Sequence, residues 1–188
     1  VWPISFPAPD TPYSHAVDRA EPKGLRIAYS PDLDGFAPVA PEIDAILRGA
    51  LGQAERSGAR VTLDCPDLSG LNDIYRTLRA MAWAAGAGHL PETVQTHFKP
   101  ALRDNIAAGR DGALTLASVY AAQRGRSRIY HAMRSFLSEV DVLACPVAGC
   151  LPGPVEEEYP TEIAGVPMTD YLDWLRFSFL ATTAALPA

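Results

Sequence analysis

Lysine is nearly absent: only Lys23 and Lys99 occur in 188 residues. Neither neighbours a Gly/Ser-rich loop that could supply an oxyanion hole, so the sequence offers no Ser/Lys nucleophilic mechanism of its own. It also lacks a Gly-x-Ser-x-Gly elbow, a Gly-rich phosphate loop and a His-Glu-x-x-His pair. The three cysteines, Cys65, Cys145 and Cys150, are an odd set without Cys-x-x-Cys spacing. That argues against a disulfide framework and against zinc, and makes the cytoplasm the default compartment. Cys145 reads as a small buried thiol, since no His or Asp pattern beside it would activate a nucleophile. Basic charge is short too. The formal net charge is −6, with arginines scattered rather than clustered among aromatics, so nucleic acid is not an expected partner. The longest nearly apolar run, residues 174–185, carries Arg176 and falls short of the roughly 20 residues a membrane span needs. The amino terminus has no basic n-region or small-residue cleavage site, so no secretory signal is visible. It does not start with Met, which reads as a chain cut from a longer polypeptide or processed.

What the sequence does contain is organised around residues 113–147. At 100° per residue, Leu114, Ser118, Ala122, Gly125, Ile129, Ala132, Phe136 and Val140 share one stripe, with Arg124, Arg128 and His131 opposite. The spacing predicts a long amphipathic helix feeding a short apolar strand, Asp141-Val-Leu-Ala-Cys-Pro146, that proline stops. Arg126 lies on the stripe's flank. A guanidinium there must be paired if desolvated, either by a carboxylate such as Asp141 or Asp173 or by an anionic or carbonyl-bearing ligand. A ligand at the carboxyl end of the strand suits an open α/β sheet.

Residues 1–22 are Pro-rich and read as an extended connector. Residues 25–30 read as a strand. Ile43, Ile46, Leu47, Ala50, Leu51 and Ala54 mark a helix stopped at Gly58, and residues 60–65 a second strand. Strand, helix, strand with short connections predicts a βαβ unit with a parallel pair. Further helices are expected over 71–85 and 91–108, with Met81 and Trp83 in the core and His89 and His97 at the surface. Residues 149–167 read as loop. The run Glu156-Glu157-Glu158 is a solvated acidic face there rather than a metal site, because adjacent residues on an extended loop do not converge on an ion. Residues 170–184, opening on Asp170, read as one buried helix. The fold class is therefore α/β, over residues 23–188.

Gly24-Leu-Arg-Ile-Ala-Tyr-Ser-Pro-Asp32, then Pro38-Val-Ala-Pro-Glu-Ile-Asp-Ala-Ile-Leu47 and Ser57-Gly-Ala-Arg-Val61, look like the middle of the amidase signature family. Ala122-Gln123, Arg126 and Val140-Asp-Val-Leu-Ala-Cys-Pro146 resemble its helix-strand passage. Tyr171-Leu-Asp-Trp-Leu-Arg-Phe-Ser-Phe-Leu-Ala-Thr182 with Leu186-Pro-Ala188 resembles its late buried segment.

The resemblance implies that residues 1–188 are a partial amidase domain, part of a large mixed sheet flanked by helices. It implies an amide hydrolase using a Lys, a bridging cis-Ser and a nucleophilic Ser that all lie upstream, so no catalytic residue falls in this chain. It implies substrate contacts by Arg126 and Tyr171, a small-molecule amide as substrate and no cofactor or metal, and it is compatible with a homodimer of the full-length protein. In amidotransferase A subunits the late segment carries a carboxylate and an Asn before Gly-Leu-Pro, where this sequence has Leu175, Thr182 and Ala185. That favours a general amidase over an amidotransferase A-type subunit. Cys145 stands where the family more often has a hydroxyl residue. A non-catalytic α/β small-molecule-binding domain, or a structural remnant, are the readings without chemistry.

Overall fold

A computed structural model describes residues 10–188 apart from Arg19, Asp111 and Ala113. The chain runs α1 (Tyr13–Asp18), β1 (Arg26–Tyr29), α2 (Pro41–Arg56), β2 (Arg60–Leu63), α3 (Leu71–Ala87), α4 (Glu92–Gln95), α5 (Pro100–Arg110), α6 (Leu116–Glu139) and β3 (Val142–Ala144). A short hairpin of β4 (Glu162–Ile163) and β5 (Val166–Pro167), a 3-10 turn (Asp173–Leu175) and α7 (Arg176–Ala184) follow. The expected fold class holds: β2, β1 and β3 form a three-stranded sheet in that order, parallel throughout, and β1-α2-β2 is the βαβ unit.

β1 is the axis of the sheet because it alone pairs on both sides, and Ile27, Ala28 and Tyr29 are buried. Its register against β3 is fixed at the amino end by Arg26. The Arg26 backbone N–H donates to Asp141 Oδ2 at 2.8 Å, its Nη2 to Asp141 Oδ1 at 2.7 Å and its Nη1 to the Glu139 carbonyl at 2.7 Å. At the other end the buried Tyr29 hydroxyl donates to Asp44 Oδ1 at 2.7 Å, tying α2 to the sheet. The α2 helix packs against β2 and has no fully buried residue. The core lies instead among α3, α6, α7 and the loop after β1, where Leu33, Leu71, Ile74, Ile129, Met133 and Phe179 are sealed from solvent. Tyr75 stacks on Phe179 with centroids 3.7 Å apart.

The stripe expected on α6 is the face that packs: Ala122 and Ile129 are buried and Ser118, Gly125, Ala132 and Phe136 half-buried, while Arg124, Arg128 and His131 are exposed; Met133, outside that stripe, is buried as well. Thr115 and Ser118 close its start as a reciprocal cap, each side chain accepting from the other's backbone N–H. Gly125 lets α3 approach, since a Cβ there would lie 2.6 Å from Ile74 Cδ1. A seam joins the loops after β1 and β3. The Ala40 N–H donates to the Gly149 carbonyl at 2.7 Å, and a Cβ on Gly149 would stand 2.0 Å from the Pro38 oxygen.

Met81 and Trp83, expected in the core, are only half-buried, and four expectations about the elements change. Within 1–22, Tyr13–Asp18 is helical rather than extended, while residues 1–9 and Arg19 lie outside the described residues. The single helix expected over 91–108 is two, α4 and α5, because Pro100 has no N–H for an upstream carbonyl and so opens a helix rather than continuing one. Residues 170–184 are a turn followed by α7, since the Asp170 carboxylate accepts from Leu172 N–H at 2.8 Å and closes a local turn before the helix can start. The loop at 149–167 contains the β4-β5 hairpin, turned by Ala164 and Gly165 at φ 49° and 79°.

Candidate functional site

The three parallel strands end together at Ser30, Asp64 and Cys145, and the loops that leave β1 and β2 border an open cleft of about 360 Å³. Its walls come from residues 33–36 after β1 and 66–70 after β2, with Leu33, Phe36 and Leu68 as apolar surface and Asp34, Asp67 and Ser69 as polar groups. Leu33 and Asp34 adopt left-handed backbone at φ 54° and 59°. Such conformations cost of order 1–3 kcal/mol at non-glycine positions, and Leu33 offsets this by complete burial in the core. Arg128 reaches the same rim from α6, donating to the Ser69 carbonyl and standing 3.7 Å from Asp67.

The cysteines at these strand ends are not poised as nucleophiles. Burial, reinforced by the neighbouring Cys65, pushes the Cys145 thiol up to about 11, so it is protonated at neutral pH. Burial also raises Cys65, partly opposed by the Ser30 hydroxyl. All three thiols are free, and among the described residues no group of His, Cys, Asp and Glu converges on a metal position. Glu156 and Glu157 are exposed and Glu158 is half-buried.

Arg126 lies on α6 with its Nε donating to the backbone carbonyl of Thr183 at 3.0 Å. That carbonyl belongs to the last turn of α7, where the helix leaves acceptors without partners and favours a cation. The carboxylates weighed as its partners are engaged elsewhere: Asp141 by Arg26 at 2.7 Å, Asp173 by Arg76 at 2.8 Å and by Arg176 at 2.7 Å. Arg126 itself is exposed, so an internal ion pair for it is corrected to a helix-terminal hydrogen bond.

Tyr171 is half-buried, its ring edge-to-face against Tyr159 at 5.9 Å and Trp174 at 6.0 Å. It sits in a turn clamped on both sides. Asp170 receives Arg76 through both guanidinium Nη atoms at 2.6 and 3.1 Å. Asp173, 3% exposed, accepts from Thr169 N–H at 2.9 Å and Thr169 Oγ1 at 2.6 Å as well as from Arg76 and Arg176. Burial would raise the Asp173 carboxyl, but the bonds from Thr169 and Arg176 outweigh it and hold the group well below the usual carboxylate range. Arg176 continues to the Phe36 carbonyl at 3.3 Å, linking this turn to the cleft. The structure does not bring Arg126 and Tyr171 together. Arg126 contacts the last turn of α7 at Thr183, whereas Tyr171 packs against Tyr159 and Trp174 ahead of that helix.

The Asp173 node is the feature that the sequence reading missed. Its local half is visible as Asp170, Asp173 and Arg176 at three-residue spacing. Arg76 comes from α3, 97 residues away, and nothing in the sequence announces it.

A family profile described as Amidase matches residues 4–188. The chain belongs to the amidase family. Amidase-family structures share its fold. A bacterial aryl acylamidase of the amidase signature enzymes superposes with a TM-score of 0.74 at 20% identity, over 87% of this chain and 36% of that one. A 6-aminohexanoate cyclic dimer hydrolase complexed with substrate gives 0.71 at 18% identity, over 95% and 40%. A further amidase gives 0.69 at 19%, over 86% and 37%. The chain thus spans well under half the length of these amidases. No curated protein matches it at a significant level. Among the described residues, no helix is long and apolar enough to cross a membrane.

Proposed function

We propose that this chain is the middle-to-late part of an amide hydrolase. The complete enzyme cleaves a carboxylic amide C–N bond with a Ser-cisSer-Lys set carried elsewhere in the polypeptide. In that mechanism the Lys acts as base through the bridging Ser, the second Ser attacks the carbonyl, and backbone N–H groups hold the oxyanion. The observation that carries this reading is the Amidase match across residues 4–188, to which the likeness in fold adds support. Arg126 and Tyr171 face a small-molecule amide, and the protein works in the cytoplasm, where its three thiols stay reduced. Anilides are the first substrates to try, given the similarity to an aryl acylamidase.

The test is turnover of p-nitroacetanilide and of simple aliphatic amides by the complete polypeptide. Hydrolysis is expected, and it should vanish when the upstream nucleophilic serine is replaced by alanine. A complete, folded polypeptide that hydrolyses no amide, or one whose turnover survives that replacement, overturns the reading.

A further inference from the structure

We infer that Asp173 is a positioning residue for substrate binding, acting by holding Tyr171 in place; this rests on the reading above that Tyr171 faces the substrate. Four hydrogen bonds converge on one nearly inaccessible carboxylate. Two come from Thr169 and close the turn that contains Tyr171. One comes from Arg76 on α3 and one from Arg176 at the start of α7. Arg76 also grips Asp170, the residue immediately before Tyr171. A single guanidinium therefore anchors the chain on either side of the tyrosine.

Compared with apolar residues of the same volume such a node gains little stability, because desolvating two guanidiniums and a carboxylate offsets their attraction, although losing one partner or its charge alone is costly. What it provides is one geometry. Tyr171 and Leu172 lie between the two clamped carboxylates; Leu172 is buried in the core, whereas the tip of Tyr171 is uncommitted. Its ring rests between Tyr159 and Trp174, while its hydroxyl takes no partner among the described residues. A clamped backbone presenting an unengaged hydroxyl on a ring held by its neighbours is the arrangement expected of a ligand contact supported from behind. The adjoining rings of Tyr159 and Trp174 suit an aryl group more than a small aliphatic one.

The experiment uses the complete polypeptide with p-nitroacetanilide as probe. Asp173→Asn keeps the shape and removes the charge, and should raise KM about tenfold with kcat held within about threefold, the pattern of lost ground-state contact. In a Tyr171→Leu background the same substitution should add no more than about twofold, because the residue through which it acts is gone. Thr169→Val, which removes one of the four bonds and leaves both ion pairs, should move KM in the same direction by about threefold and serves where Asp173→Asn does not fold. A KM unchanged in these variants while only the melting temperature falls overturns the inference, and so does an equal effect with and without Tyr171. An unsubstituted enzyme that turns over no amide overturns the functional reading and this inference with it; normal turnover with KM unmoved overturns this inference alone.

Discussion

Arg126 shares its Nε with the end of α7 and leaves the rest of its guanidinium on an exposed flank of α6, so two roles compete at one residue. If its work is to complete the α7 terminus, Arg126→Met costs about 0.5–1.5 kcal/mol of stability, the net worth of one hydrogen bond, and turnover per folded molecule stays unchanged. If it holds substrate, as proposed, the complete enzyme loses about 2–5 kcal/mol in kcat/KM with a melting temperature that barely moves. Thermal denaturation and steady-state kinetics on the same preparation separate these outcomes. Asp173 makes a prediction of opposite kind. Its folded-state carboxyl is held low by Thr169 and Arg176 against the pull of burial, so the unfolded chain binds the proton more readily. The stability it contributes is complete above the ordinary Asp range near pH 4 and drains away as pH falls through that range towards the depressed folded value. Melting temperature measured from pH 7 to pH 3 should fall more steeply in the unsubstituted protein than in Asp173→Asn. Parallel curves would refute the assignment.

Elements were legible where one face of a local pattern carries the packing. The α6 helix is the clearest instance: its stripe, its polar face and the strand that follows all stand where 3.6-residue periodicity puts them. The βαβ unit was legible for the same reason, through short connections and turn residues at Gly24 and Gly58. What failed was decided by tertiary partners or by backbone states that the residue types do not advertise. The β4-β5 hairpin turns on Ala164 and Gly165, whereas Asn-Gly or Asp-Gly is the pair that signals such a turn. The run from 91 to 108 keeps helical spacing in its side chains although Pro100 breaks the hydrogen-bond ladder. Of the candidate site, the sequence pointed to Arg126 and Tyr171 as separate residues. It named Asp173 only as a partner for the wrong arginine, because the Arg76 contact requires α3 to be folded against the start of α7.

For the whole molecule, the central feature is a sheet whose middle strand is fully served and whose outer strands are not. Among the described residues β2 and β3 each pair on one side only, Val142 is 40% exposed and Leu63 66% exposed. Open parallel edges with apolar side chains invite association. Produced alone, the 188-residue chain should therefore aggregate at moderate concentration and show no sharp cooperative transition. A soluble monomer with a single steep calorimetric peak would contradict this. The seam between the loops after β1 and β3 carries a different consequence, for how the chain tolerates changes of length. Because the Gly149 carbonyl is bonded to Ala40 and its α-carbon lies against Pro38, neither loop can gain a residue without displacing the other. Beyond the seam, residues 151–157 are exposed and make no such crossing contact, so inserted segments are absorbed there, downstream of the strand ends, while the spacing of the cleft stays as it is.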